Sequence, residues 1–218
     1  MINMMYLVLT AMLALNVSKD ILRVLAKLDL GMNATVSTVE RGTATMYQAI
    51  QAQVSENPRA IPVNERAKEV QKQSEEVFAM IKTAKEEMIT LTGGIDEEGR
   101  YKGADNRDIA ENYLVNDKSI GGKGMAKEIK ERLIAYRTFL ESQTDGDQTM
   151  KATIAETFTF DDEVVEGKKM SWERATFAEL PLAGIIPFLT DLQSRVRRME
   201  AKTVEHLYGQ IDANTLKF

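Results

Sequence analysis

His206 is the first residue whose chemistry suggests a site, because an imidazole beside the Glu205 carboxylate could bind a metal ion or transfer a proton. A metal centre needs several such ligands, and the chain has no other histidine and no cysteine. The lack of cysteine also excludes a disulfide framework, a thiolate zinc site and a cysteine nucleophile. We therefore interpret His206 as a structural residue of the last helix.

Two other short segments resemble binding motifs. The acidic run from Asp161 to Glu163 could suggest calcium, but three consecutive side chains point in different directions and lack the alternating ligands of a calcium loop. The segment from Gly121 to Gly124 lacks the spacing and the preceding strand of a phosphate-binding loop. No nucleophile, base and orienting group come together in the sequence, so we predict no catalytic, cofactor-binding or metal-binding residues and no enzymatic activity.

The densest basic cluster consists of Arg195, Arg197 and Arg198. Acidic residues surround it, and the formal net charge of the whole chain is −5. A general electrostatic attraction to nucleic acid is therefore not expected. We interpret the cluster as a solvated helix face, with a contact to a protein partner as the alternative.

The first 18 residues differ from the rest, because every charged side chain lies at or after Lys19. A helix over residues 1–17 would be about 25 Å long, close to the thickness of the hydrocarbon core. Its leucine, isoleucine and valine residues contribute roughly −2 to −4 kcal/mol toward insertion. We predict a transmembrane anchor over residues 1–18. A cleaved signal peptide and a helix buried in a soluble core are the alternatives.

Polar side chains recur on one face of this predicted anchor. Asn3, Tyr6 and Thr10 are three and four residues apart, and the same face continues through Leu13 to Asn16. Polar side chains within a membrane span commonly face protein, so we predict that these five residues contact a partner. The span has no titratable acid, base or histidine, so it cannot relay protons by itself.

Apolar residues at steps of three and four predict four long helices in the rest of the chain. The predicted ranges are 19–55, 63–91, 123–143 and 182–208. Their similar lengths favour an all-α fold, an antiparallel four-helix bundle with up-down-up-down order, in which the first helix continues from the anchor. Alternation near 153–170 predicts a short β-ribbon.

Two segments resemble the GldM/PorM family of gliding motility and type IX secretion. Met1–Leu22 (MINMMYLVLTAMLALNVSKDIL) is similar to the membrane anchor of that family. Residues 171–201, which contain SWERATFAELPLA and LTDLQSRVRRMEA, are similar to the last helix of its first periplasmic domain. With the matching helix order between these segments, the resemblance covers the whole chain.

The resemblance implies a homodimer whose anchors stand inside a ring of GldL/PorL-like subunits of the bacterial inner membrane. The ring would use the proton-motive force, and this chain would be a single-pass, driven shaft that carries motion through the periplasm toward outer-membrane-associated partners. The positive-inside rule alone would place the helices in the cytoplasm, because Lys19, Arg23 and Lys27 follow the span. The resemblance reverses that placement. It also implies later β-rich domains that these residues do not include. A membrane-tethered four-helix-bundle sensor of a periplasmic small ligand is the alternative.

Overall fold

The computed structural model describes residues 19–165 and 167–213, and most of these residues are helical. The predicted membrane anchor, residues 1–18, lies outside the described residues. Within the described ranges, no helix combines the length and the apolar character that a bilayer crossing requires.

Four long helices form most of the structure. They lie close to the ranges that the sequence predicts, which are 19–55, 63–91, 123–143 and 182–208. They are α1 (Lys19–Gln53), α2 (Ala60–Leu91), α3 (Met125–Ser142) and α6 (Leu182–Ala213). The shorter elements are a π-helical turn (Ala110–Val115), a 3-10 turn (Lys118–Ile120), α4 (Gln148–Thr157), β1 (Glu163–Val165), β2 (Lys168–Met170) and α5 (Trp172–Phe177).

Proline and glycine set the ends of α1 and α2. Pro58 lies between the two helices, and Pro62 occupies the first turn of α2, where a missing N–H is tolerated. At the other end of α2, Gly93 has a φ of 104°. The Gly94 N–H donates to the carbonyl of Ile89 at 2.8 Å, which satisfies one of the last carbonyls of the helix.

The last helix runs parallel to the first. Thr190 of α6 donates a hydrogen bond to Asp29 of α1, and further along both helices Tyr47 donates to Glu200 at 2.9 Å. Residue numbers therefore increase in the same direction along α1 and α6. The up-down-up-down order that the sequence predicts is wrong for this helix.

Helix α2 runs antiparallel to the other three long helices. Arg66 near its start donates to Gln210 near the end of α6 at 3.3 Å, and Lys85 near its end donates to Gln193 at 3.1 Å. Lys123, just before α3, pairs with Glu87 near the end of α2. Three helices thus point one way and α2 the other. We call the end at which α1 and α6 begin the proximal pole, and the opposite end the distal pole.

Residues 143–181 carry the chain back from the distal to the proximal pole. An aromatic cluster in and beside this stretch holds it against α6, with edge-to-face ring pairs whose centroids are 5.0–5.5 Å apart. The cluster consists of Phe160, Trp172, Phe177 and Phe188. Helix α6 then begins where the Leu182 N–H donates to the Asn106 carbonyl at 2.9 Å. This return path is the reason that α6 runs parallel to α1.

The predicted β-ribbon is shorter than the sequence indicates. Residues 153–157 belong to α4, because Asp147 caps this helix by accepting a hydrogen bond from the Met150 N–H at 3.0 Å. Ile154 and Phe158, four residues apart, are both buried, so the helical period overrides the apparent alternation. The ribbon itself is the antiparallel pair of β1 and β2, with Glu163 opposite Met170.

Helix α6 supplies much of the core, because it packs against both α1 and α2. Its apolar run over 182–192 is buried inside the helical body. Burying each large apolar side chain contributes about 1.5–3 kcal/mol. The buried apolar residues of α6 include Leu182, Ile185, Ile186, Leu189, Leu192, Val196, Val204 and Leu207.

Candidate interaction surface on helix α1

One face of α1 packs on the rest of the protein with a period of seven. Asp29, Val36, Thr43 and Ile50 are all buried, and each lies seven residues after the one before. This period is typical of helices that pack side by side over a long distance. Ile21 and Leu28 belong to the apolar steps of three and four that predict this helix, but they are 54% and 53% exposed.

A second face of α1 repeats with the same period but faces away from the body. Its apolar members Ile21, Val24 and Leu28 are more than half exposed. No residue of this face carries a charge, although the chain is 28% charged overall. We call this face the outer stripe, and its residues are Ile21, Val24, Leu28, Gly31, Thr35, Thr38, Gly42 and Thr45.

The two glycines of the outer stripe are informative. A Cβ atom built on Gly31 or Gly42 would meet nothing within 4 Å, so no neighbour in the structure requires a glycine there. A glycine inside a helix costs about 1 kcal/mol relative to alanine. Thr35 and Thr38 direct their hydroxyls to carbonyls of their own helix, and Arg41 at the edge of the stripe donates to the Thr38 hydroxyl at 3.4 Å. The stripe can therefore admit another helix at short range.

A buried polar layer near the proximal pole joins α1, α2 and α6. Asp29, only 5% exposed, accepts hydrogen bonds from Thr190 and from Asn33, the latter at 3.0 Å. Tyr101 donates to the same carboxylate at 3.3 Å. The ammonium of Lys85 lies 4.0 Å from Asp29 and donates to Thr190. We call this group the Asp29 layer.

The charges of the Asp29 layer depend on each other. Burial lowers the pKa of Lys85 below its ordinary value, and the neighbouring Asp29 carboxylate opposes that shift. Burial and the same carboxylate raise the pKa of Tyr101, which therefore stays a hydrogen-bond donor. Asp29 thus favours the charged form of a lysine inside the helical body.

A second polar layer lies further toward the distal pole and centres on Arg197. This guanidinium, 7% exposed, donates to Glu40 of α1 at 2.9 Å, to Glu75 of α2 at 2.6 Å and to Glu200 of α6 at 3.0 Å. Its plane also lies over the ring of Phe78, with 4.1 Å between Cζ and the ring centroid. We call this group the Arg197 layer.

The Arg197 layer is fully hydrogen-bonded around Glu200, which is buried. Tyr47 donates to Glu200 at 2.9 Å and Ser74 at 2.6 Å. Burial disfavours the charged form of Arg197, but its pairs with Glu75 and Glu200 raise the pKa of the guanidinium above its ordinary value. Burial and the Glu200 carboxylate raise the pKa of Tyr47 in the same way.

The two layers fix how α1 sits against its neighbours. Buried ion pairs contribute little net stability but allow few alternative alignments, because a shifted helix would leave charges unpaired in the core. Since both layers include side chains of α1, α2 and α6, α1 cannot slide or rotate without breaking them. A displacement of α1 must therefore be shared by α2 and α6.

The basic cluster of the sequence is split between two environments. Arg195 is part-exposed and pairs with Asp191 at 2.6 Å on its own helix. Arg198 is also exposed, whereas Arg197 is buried. The prediction of a solvated face is therefore wrong for Arg197, because the carboxylates of Glu40 and Glu75 reach it from two other helices.

The other candidate residues have structural surroundings. His206 is half-buried, 3.8 Å from the carboxylate of Asp145. Asp162 accepts the N–H of Trp172 at the start of α5, and it pairs with Lys169 of β2 at 3.3 Å. Gly122 packs against the backbone of residue 116, where a Cβ would clash. No group of three or more potential metal ligands occurs in the part of the chain that the structure describes.

The predicted partner contacts of the anchor, Asn3, Tyr6, Thr10, Leu13 and Asn16, lie outside the described residues. Comparison with known protein families gives a match over residues 20–210, to the model of the GldM N-terminal domain. No curated protein matches the chain. The matched range includes every residue of the two polar layers and of the outer stripe.

Proposed function

Because the chain belongs to the GldM family, whose members work in gliding motility and type IX secretion, we propose that it is the driven shaft of a membrane motor powered by the proton-motive force. The family is anchored in the inner membrane and acts within a multi-subunit machinery, as a structural component rather than an enzyme. In this proposal residues 1–18 are the single-pass anchor, and residues 19–218 form a helical body in the periplasm.

The observation that carries the proposal is the way α1 is built into the body. Its described part, Lys19–Gln53, is one uninterrupted helix of 35 residues. The Asp29 layer and the Arg197 layer join it to α2 and α6 at two separate heights. A rotation or tilt applied to the anchor would therefore move α2 and α6 together with α1.

The shaft is proposed to be a homodimer that pairs along the outer stripe. Two copies related by a two-fold axis parallel to α1 would bring each stripe residue against its own counterpart. The absence of charge avoids repulsion between identical residues, and Gly31 and Gly42 allow the helices to come close. Exposed Ile21, Val24 and Leu28 would be covered at the same time.

Cysteine cross-linking tests this pairing directly, because the chain has no native cysteine. The Thr38→Cys variant is expected to form a disulfide between two copies under mild oxidation, since residues on the axis approach within the Cα separation of roughly 4.4–6.8 Å that a disulfide needs. Ala44→Cys, exposed on the same helix but beside the stripe, is the matched control and should remain mostly monomeric on a non-reducing gel. Equal cross-linking of both variants would argue against the stripe as the interface.

The same positions test the function in cells. Thr38→Lys places like charges opposite each other in the dimer and is expected to reduce gliding speed and type IX secretion strongly. Ala44→Lys adds the same charge to the same helix away from the axis and is expected to leave both near the wild-type level. Normal motility and secretion in Thr38→Lys, with the variant present at the usual amount, would contradict a paired shaft.

The anchor is proposed to stand inside a ring of GldL/PorL-like subunits, which would supply the titrating groups that the span lacks. Replacing Asn3, Tyr6 and Thr10 together with leucine is expected to reduce co-purification of the ring or to stop motion, because polar contacts within the membrane would be lost. Leucine replacements at Met5, Val8 and Met12, on the opposite face, are the matched control. Undiminished complex recovery and gliding in the first variant would contradict this contact.

A further inference from the structure

A cavity of about 450 Å³ lies at the proximal pole, between the first turns of α1, the 94–104 loop and the start of α6. Its size falls within the roughly 300–1,000 Å³ of small-molecule sites. Most of the wall is apolar, with Leu22, Ala26 and Leu30 on α1 and Ala104 and Ala183 on the other side. A ligand that fills this space must present hydrocarbon to that wall.

The loop that closes the cavity is internally bonded. Asp96 donates its N–H to the Arg100 carbonyl at 2.9 Å, and its carboxylate accepts the guanidinium of Arg100 at 2.8 Å. Tyr101 ties the loop to α1 through its hydrogen bond to Asp29. The loop therefore forms a preformed wall, which lowers the entropic cost of binding a ligand.

Three cations and two acids line the cavity, and Glu98 beside it also pairs with Arg100 at 2.7 Å. The acids that line it are already satisfied, Asp96 by Arg100 and Asp29 by the donors of its own layer. Lys102 also lines the cavity, is exposed, and has no ion pair within the described residues. Arg23 adds a second cation, whose ion pair is with the exposed Asp20. An anion beside Lys102 would therefore be favoured.

The surroundings of the cavity are unusually apolar for a protein surface. Nine large apolar side chains are exposed in the described part of the chain, and seven of them lie at this pole. They are Ile21, Val24, Leu28, Leu30, Leu91, Ile95 and Ile120. The proposed dimer would cover Ile21, Val24 and Leu28, and the other four stay exposed at this pole, which marks an interaction site. If residues 1–18 are the anchor, as the proposed function has it, this pole faces the bilayer.

We propose that the cavity binds the acyl chain of an anionic amphiphile. The hydrocarbon lies against Leu22, Ala26 and Ala183, and the carboxylate or phosphate of the head group lies beside Lys102. A hydrocarbon chain matches the apolar wall, and the anionic head group matches the lysine that lacks an ion pair. Free fatty acid and membrane phospholipid share this chemistry.

Photolabelling of the full chain tests the site with two sources of the ligand. In one arm the chain is reconstituted in phosphatidylcholine nanodiscs that contain a phosphatidylglycerol with a diazirine on its acyl chain. In the other arm diazirine-bearing laurate is added to the chain held in amphipol. Peptide mass spectrometry is expected to find the label on residues 22–30 and 101–104 in both arms. The neutral alcohol analogue of the laurate probe should label at least threefold less.

Two variants distinguish the cavity from general contact with lipid. Ala26→Leu fills the cavity and is expected to reduce labelling at least fivefold, whereas Ala44→Leu, exposed elsewhere on α1, should not. Lys102→Glu reverses the charge beside the head group and should reduce labelling by laurate. Lys68→Glu, an exposed lysine at the distal pole without an ion pair among the described residues, is its control.

Labelling that is absent, confined to residues 1–18, or unchanged by Ala26→Leu would overturn the proposal. Equal labelling by laurate and the neutral analogue would also overturn it, because the anionic head group would then have no role. Labelling by laurate but not by nanodisc lipid would support the site while contradicting the membrane placement of this pole. The binding site and the proposed function can thus fail separately.

Discussion

Replacing Arg197 with alanine is expected to lower the free energy of unfolding by about 3–5 kcal/mol, because it leaves Glu200 charged and unpaired in the core. Glu200 is 3% exposed, and Arg197 is the cation that compensates it. The loss should appear in urea unfolding of the detergent-solubilised chain, followed by the fluorescence of Trp172, its single tryptophan.

Arg195 provides a control for this substitution on the same helix. Arg195→Ala removes a part-exposed pair with Asp191, whose contribution to stability is expected to be about 0.3–0.5 kcal/mol. Combining Arg197→Met with Glu200→Gln should be less destabilising than the sum of the two single substitutions, because the double variant leaves no buried charge unpaired. Similar losses in Arg197→Ala and Arg195→Ala would contradict the role assigned to the Arg197 layer.

Asp29→Asn is expected to reduce stability by roughly 3–5 kcal/mol near neutral pH, because Lys85 would remain charged in the core without its partner. This loss of stability relative to wild type should become smaller as the pH rises. Burial already lowers the pKa of Lys85, and removing Asp29 lowers it further. In the unfolded chain a lysine has its ordinary pKa of about 10.4, so between these two values the unfolded state binds more protons and stability increases with pH.

The measurement compares the free energy of unfolding of Asp29→Asn and wild type at neutral pH and at about pH 9.5, below the ordinary lysine pKa. Asp20→Asn is the control, because its carboxylate is 83% exposed on the same helix and pairs with the exposed Arg23. We expect the difference in free energy of unfolding between Asp29→Asn and wild type to become smaller at the higher pH. The corresponding difference for Asp20→Asn should be small at both pH values. A gap that is independent of pH would show that Lys85 is not the group left uncompensated.

The positions of the long helices could be predicted from the sequence, because their signals are local. Apolar residues at steps of three and four mark each helix, and Pro58 with Gly93 and Gly94 mark the breaks. The direction of α6 could not be predicted in this way. It depends on residues 143–181 and on contacts such as Tyr47 with Glu200, which lie 153 positions apart in the chain.

The candidate surface could be predicted only in part. Asp29 and Arg197 are charged residues of types that are usually solvated. Nothing in the neighbouring sequence indicates that groups on other helices pair with them. A better signal exists for the outer stripe. Gly31 and Gly42 lie eleven residues apart in a helix without a nearby proline, on a face that has no charge, which favours contact with another helix.

The parallel arrangement of α1 and α6 has a mechanical consequence. The described chain starts at one pole and reaches Ala213 at the other, so a force applied between these two ends acts across the whole body. An up-down-up-down body would bring both ends to the same pole, and tension could then bypass most of it. Here a pull or a twist at Lys19 is passed between α1 and α6, which both polar layers join, before it reaches Ala213.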